Sequence, residues 1–264
     1  MNNFKKHFVV GDTHGNIDFS KIYNWKPEDK DEKILFQLGD WGAIFHNPSN
    51  NKDYLKDQKL LKQWIKHSKR CNFTLCVIPG NHENYGIIDK LPIIDKWGGK
   101  VQLLEVYHHY TKVKLGEIFL LMRGEIYIID GIKYFVMGGA NSVDRNNRIE
   151  NVDWWSRELP NYAETNNAYN NFKKHNMKVD VMLTHTCNAD TVYNCLSYKV
   201  GVGTYGSSPN LDKIDDSLTR FFNQLSKDVD FKQWHFGHVH YDGIITHLED
   251  DRYYESHYNG FPKE

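Results

Sequence analysis

Eight short apolar runs punctuate this chain, each bounded by glycine or polar residues. They are HFVV (7–10), KILFQL (33–38), FTLCVI (73–78), IFLLM (118–122), IYIID (126–130), KYFVM (133–137), VDVMLT (179–184) and QWHF (233–236). Such brief runs, rich in β-branched and aromatic residues, read as buried strands. Helical spacing marks 53–69, where Leu61 and Ile65 fall four apart with Tyr54, Leu60 and Trp64 nearby. It also marks 212–226, where Ile214, Leu218, Phe221, Phe222 and Leu225 make a stripe that Asn210 or Asp212 could cap. Strands alternate with helices early and follow one another in mid-chain, which predicts an α/β sheet joined to a more antiparallel one. The charge run KPEDKDEK (26–33) reads as a solvated loop, and 161–178 as a polar loop leading into an exposed helix. With no repeat and no linker, one domain spanning 1–264 is expected.

Composition narrows the function classes. A hydrophobic fraction of 40% with 25% charged residues suits a globular protein with a sizeable core. Net charge is −1, so no global basic field favours long nucleic acid or a membrane surface. The four cysteines, Cys71, Cys76, Cys187 and Cys195, lack C-x-x-C spacing and read as small buried hydrophobes in a reducing compartment. The first apolar run breaks at Gly11-Asp12, too short for a secretory signal, and no run approaches a membrane span. A cytoplasmic location is the expectation.

The polar residues are informative by position. Five of the predicted strands run straight into clusters of Asp, Asn or His: Gly11-Asp12-Thr13-His14, Gly39-Asp40, Gly80-Asn81-His82-Glu83, Thr184-His185 and Gly237-His238-Val239-His240. Ligands of open α/β sheets collect outside the carboxyl ends of the strands, so these clusters should converge. Residues two apart in extended chain point the same way, which pairs Asp12 with His14 and His238 with His240. The set offers oxygen and imidazole but no sulfur. That composition suits Mn, Fe or Zn better than calcium, and there are more ligands than one ion needs. Two cations sharing a carboxylate are a known device for activating water against phosphate esters.

In the order D-x-H, GD, GNH-[DE], H, GH-x-H, from residue 12 to residue 240, the chain strongly resembles the calcineurin-like metallophosphoesterase superfamily. That resemblance implies an α/β fold, a four-layer α/β/β/α sandwich of two mixed sheets (the metallophosphoesterase fold). It implies that Asp12, His14, Asp40 and His240 hold one metal, and that Asp40 bridges to a second completed by Asn81, His185 and His238. His82 would face the leaving group as proton donor while a hydroxide between the ions attacks phosphorus in line. The expected activity is hydrolysis of a small phosphomonoester or phosphodiester, with two divalent ions, manganese foremost and iron or zinc as alternatives. A nuclease or cyclic-nucleotide phosphodiesterase is the near rival. A catalytically silent scaffold is the distant one, although none of the motif residues is lost here. Glu83 either orients His82 or caps the following turn.

Two departures and one false lead complete the reading. Where the protein Ser/Thr phosphatase branch carries GD-x-x-D-R-G, this chain reads GDWGAIF, with Trp41 after the motif Asp, so a phosphoprotein substrate is not implied. The segment 138–159 is either a polar loop followed by a helix whose Trp154 and Trp155 enter the core, or a substrate loop. In the second case Asn141, Arg145 or Arg148 reaches phosphate and a Trp stacks on a ring. GVGTYG (201–206) matches G-x-G-x-x-G, but Ser207-Ser208-Pro209 follows where a helix should start, so it is not a dinucleotide fingerprint. Nine of the fourteen histidines, including His7, His46, His108, His109 and His257, fit no motif and read as surface or core residues.

Overall fold

Strand alternation decides the architecture of the computed structural model, which describes residues 6–200, 214–247 and 250–264. In β1 (Lys6–Val10), Phe8 and Val10 face one way and Val9 the other; in β2 (Lys33–Gln37), Leu35 opposes Ile34 and Phe36. Both faces are apolar because both are covered. With β3 (Phe73–Val77), β4 (Ile93–Lys96), β5 (Gly99–Tyr107) and β6 (Lys114–Leu121) they form one sheet in the order β1-β2-β3-β6-β5-β4. Its first four strands are parallel and its last two antiparallel.

The second sheet holds β7 (Ile126–Ile129), β8 (Ile132–Met137), β9 (Val181–Thr184), β10 (Gln233–Phe236), β11 (Gly243–His247) and β12 (Asp250–Ser256), in the order β11-β12-β10-β9-β8-β7. Four parallel strands, β12, β10, β9 and β8, are flanked by an antiparallel strand on each edge.

Three apolar layers hold these sheets in place. Ile34, Phe36, Leu38 and Ile78 of the first sheet meet Tyr134, Val136 and Leu183 of the second. On the outer face of the first sheet, α2 (Asn51–Cys71) lays down Leu60, Leu61, Trp64 and Ile65. The second sheet is covered by α4 (Tyr162–Lys174), α5 (Ala189–Val200) and α6 (Ser217–Asp228), through Phe172, Cys195, Leu218 and Phe222. The result is the four-layer α/β/β/α sandwich of two mixed sheets. Each fully buried aliphatic or aromatic side chain stabilises it by about 1.5–3 kcal/mol. Short helices α1 (Ser20–Tyr23) and α3 (Tyr85–Ile88) follow β1 and β3.

Several local expectations need correction. The stripe predicted over 212–226 is a helix from Ser217, capped by Asp216, whose carboxylate accepts from the Leu218 and Thr219 amides at 2.7 and 2.9 Å. Residues 201–213, with the GVGTYG run and the suggested caps Asn210 and Asp212, lie outside the described residues. No α-helix forms within 138–159; two 3₁₀ turns do, at Arg145–Asn147 and Ser156–Glu158. Lys33 belongs to the charge run but is fully buried, because its ammonium pairs with Asp29 at 2.5 Å and with the Asp31 carbonyl at 2.6 Å. All four cysteines are buried and free. Among the described residues, no helix is long and apolar enough to cross a membrane.

Candidate metal centre

Parallel strands β1, β2, β3, β9 and β10 all end at the same place, and the five polar clusters sit on the turns that leave them. The turns are tight because the clusters crowd together. A Cβ on Gly80 would fall 2.4 Å from Asp40 Oδ1, and one on Gly237 would fall 2.3 Å from Asp12 Oδ1. His14, Asp40, His238 and His240 all have positive φ, at 42°, 47°, 67° and 52°. Side chains other than glycine avoid that region, and strain of this kind gathers where surrounding contacts over-determine a functional geometry.

Two donor groups result. Asp12, His14 and His240 form one, and Asp40, His185 and His238 the other; within each, one ligand atom per residue lies within 4.8 Å of the others. Asp40 stands between them. Its Oδ1 is 3.2 Å from His185 Nε2 and its Oδ2 is 3.6 Å from His14 Nε2. Asn81 Oδ1 lies 3.0 Å from His185 Nε2. Asp12 Oδ2 is buried without a hydrogen-bond partner, although His240 Nε2 lies 3.3 Å away and His14 Nε2 3.9 Å away. An orphaned carboxylate oxygen surrounded by imidazole nitrogens offers a lone pair to a cation, so the residues fit divalent ions.

Supporting hydrogen bonds turn each ligand the right way. His185 Nδ1 donates to the Leu38 carbonyl at 2.7 Å and His14 Nδ1 pairs with Asp18 at 2.8 Å, which aims both Nε2 atoms inward. Tyr258 stacks on His240, ring centres 4.4 Å apart. The Asn81 amide nitrogen donates to Ser142 Oγ at 3.0 Å, and Ser142 in turn donates to Glu158 at 2.5 Å, so the Asn81 oxygen is left for the centre. The buried Lys21 ammonium holds the Asp12 and Tyr258 carbonyls together.

The calcineurin-like phosphoesterase family model matches residues 6–242. This chain belongs to that family. The calcineurin-like phosphoesterase is thus a metal-dependent enzyme acting on phosphate esters, and its two donor groups are the residues available for the divalent ions. Its fold is similar to a solved phosphopantetheinyl hydrolase from Mycobacterium tuberculosis, 13% identical, with TM-score 0.47, covering 98% of this chain and 92% of that one. A second solved structure is 12% identical, with TM-score 0.46, covering 94% of this chain and 88% of that one. Among curated proteins, none matches the chain.

Electrostatics in the phosphoesterase set protons and cations in competition for the same imidazoles. Burial disfavours charge on His14 and His185, but the Asp40 and Asp12 carboxylates outweigh it and raise each pKa to about 9. His238, half-buried, is lowered to about 4 by desolvation and by the neighbouring His185 charge. At pH 7 the metal-free site therefore carries protons on His14 and His185 that cations must displace. Metal loading at pH 7 should release about two protons per chain, and affinity should rise with pH up to the value at which those imidazoles lose their protons. Calorimetric titration in buffers of different ionisation enthalpy checks this; heats independent of buffer would contradict it.

Glu83 neither orients His82 nor caps a turn. It is fully buried and accepts the amides of Gly42, at 3.1 Å, and Gly80, so one carboxylate ties the loops after β2 and β3. Burial and the nearby Asp40 charge push its pKa up to about 7. His82 is fixed through its own amide, which donates to Asp40 Oδ1 at 2.9 Å. With a quarter of its side chain exposed, it lines a cavity of about 430 Å³ together with His14 and Arg148.

Of the three residues expected to reach substrate, only Arg148 borders that cavity. Asn141 accepts from Arg145 at 3.3 Å, and neither lines it. Trp155 is buried edge-on against Phe45, 5.5 Å between ring centres, so it is a packing residue and does not stack on a ligand. Ser142, Glu158, Lys21, Asp18 and Tyr258 carried no sequence signal, since each acts through a partner.

Proposed function

We propose that this phosphoesterase hydrolyses a small phosphate ester at a two-ion centre. Asp12, His14, Asp40 and His240 hold one ion, and Asp40, Asn81, His185 and His238 the other. The observation that carries this is the placement of Asp40, which presents one oxygen to each donor group. Bound divalent cations would supply an activated water and neutralise charge on the phosphoryl oxygens.

The chain's own residues supply the rest. Arg148 is oriented by Asp144, at 2.8 Å, and by the Asp153 carbonyl, at 3.1 Å, and meets the phosphate at the cavity edge. His82 faces the leaving oxygen. Phe45, Leu60 and Ile17 on the cavity wall receive the leaving group's carbon skeleton, and the cavity's 430 Å³ suits a small molecule and not a long polymer. Oxygen and imidazole donors without sulfur favour manganese, with iron or zinc as alternatives.

Chelation with EDTA should abolish turnover of p-nitrophenyl phosphate and bis-p-nitrophenyl phosphate, and added Mn²⁺ should restore it. The ratio of the two rates assigns monoester or diester preference. Protein with two ions bound and no turnover of either ester would mean a silent scaffold.

A further inference from the structure

A third group of potential ligands lies outside the centre just described. His235 on β10 and Glu255 on β12 are paired neighbours in the parallel register, and His257 follows β12 directly. Their residue exposures are 9%, 4% and 6%, so all three are buried. Two imidazoles and a carboxylate, converging at the flank of the layer between the sheets, have no part in the phosphoesterase chemistry.

We propose that His235, Glu255 and His257 form a separate structural site for a divalent transition metal, zinc by chemistry. The three facing atoms are His235 Nδ1, His257 Nε2 and Glu255 Oε2, and their separations are 3.0, 3.6 and 3.6 Å. A point in the plane of that triangle lies about 2.0 Å from every corner, and zinc takes imidazole nitrogen and carboxylate oxygen at about 2.0–2.2 Å. An ordinary hydrogen bond between the two imidazoles accounts for the shortest side alone. It does not account for a carboxylate oxygen equidistant from both nitrogens.

The surroundings prepare those atoms as ligands. Gln233 Oε1 lies 3.3 Å from His235 Nε2 and accepts its proton, which leaves Nδ1 with a free lone pair. Lys263 pairs with the other carboxylate oxygen, Glu255 Oε1, and so frees Oε2 for the triangle. Tyr253 donates to Oε2 at 2.9 Å, which occupies one lone pair and leaves another. Burial favours the neutral form of both imidazoles, the form that binds metal. Two cavities, of about 240 and 280 Å³, reach Glu255, one past His257 and the other past His235, with room for water as a fourth ligand.

The location explains what such an ion would do. His257 sits with its carbonyl against Gly11, the residue before Asp12, and its amide donates to the Phe236 carbonyl at 2.9 Å, just before His238. Lys263, salt-bridged to Glu255, also exchanges two backbone hydrogen bonds with Val9, of 2.8 and 2.9 Å. One ion would thus clamp β10, β12 and the C-terminal segment to β1, behind the turns that carry Asp12 and His238.

Zinc titration followed by gel filtration and elemental analysis should give three ions per chain, and His257→Gln should give two while keeping the two-ion centre. In Asp40→Asn, the remaining zinc should vanish when His257→Gln is added. A zinc-soaked crystal of the unaltered protein needs no variant. An anomalous peak between the three named atoms supports the site, and density showing only imidazole–imidazole contact while the main centre is filled overturns it. A zinc count in His257→Gln equal to that of the unaltered protein also overturns it, whatever number the main centre holds.

Discussion

Asp40→Asn is expected to lose both ions of the two-ion centre and to lower kcat/KM by a factor on the order of 10³ or more, the scale on which removing a key electrostatic group acts. The expectation comes from geometry. Asp40 Oδ1 faces His185 and Oδ2 faces His14, so one side chain completes two donor groups. Asparagine keeps one oxygen, but it replaces the other with an amide nitrogen that has no lone pair for a cation, and it removes a negative charge from a site already crowded with imidazoles. Fold disruption is a poor explanation for the loss, because Asp40 has φ of 47° and asparagine tolerates that region well. The replacement also still accepts the His82 amide proton. Elemental analysis after gel filtration measures the outcome. Asn81→Ala is the control: Asn81 touches only the His185 side, so one ion of the two-ion centre should remain. If Asp40→Asn combined with His257→Gln still retains one ion at full occupancy, Asp40 does not bridge.

How much of this was legible beforehand depends on whether a signal was local. Strands β1, β2, β3, β9 and β10 were readable because burial on both faces makes them continuously apolar. The motif residues were readable because each cluster abuts such a strand. By contrast, β5 alternates apolar with exposed residues, and the turn joining it to β4, Trp97-Gly98 with φ of 53° and 85°, lacks the usual Asn-Gly or Asp-Gly. β12, DDRYYES, reads as a polar loop, yet Tyr254 is buried and the strand pairs in parallel with β10. α5, ADTVYNCLSYKV, is rich in weak helix formers and is held by tertiary packing through Val192 and Cys195. Within the site, Ser142 meets Asn81 across 61 positions of sequence, and Lys21 meets Tyr258 across 237. No window of residues contains such a contact. The same holds for the third ligand group, whose histidines are unremarkable until β10 and β12 are placed side by side.

His82→Ala should separate catalysis from metal binding. Turnover is expected to fall by about 10²–10⁴-fold, the range for removing a general acid, with metal content unchanged. His82 reaches the centre through its backbone amide, and its imidazole stays 4.0 Å from Asp40 Oδ2, beside the cavity and outside both donor groups. The size of the loss should depend on the ester. A p-nitrophenolate ion departs readily without a proton, whereas an alkoxide does not, so His82→Ala should harm an alkyl ester far more than an aryl one. Equal losses on both would point to phosphate binding and would remove the proton-donor role. The pH profile gives a second check. Burial lowers the His82 pKa from 6.5, and the Arg148 charge adds to that while Asp40 opposes it. The protonated donor is then a minority at pH 7, and turnover of the alkyl ester at saturating metal should climb as pH falls toward that lowered value. Arg148→Ala should move the profile in a defined direction: with the neighbouring positive charge gone, the alkaline-side fall in turnover should shift to higher pH while KM rises from the lost phosphate contact. A profile that ignores Arg148 would leave His82 a packing neighbour of Asp40 and nothing more.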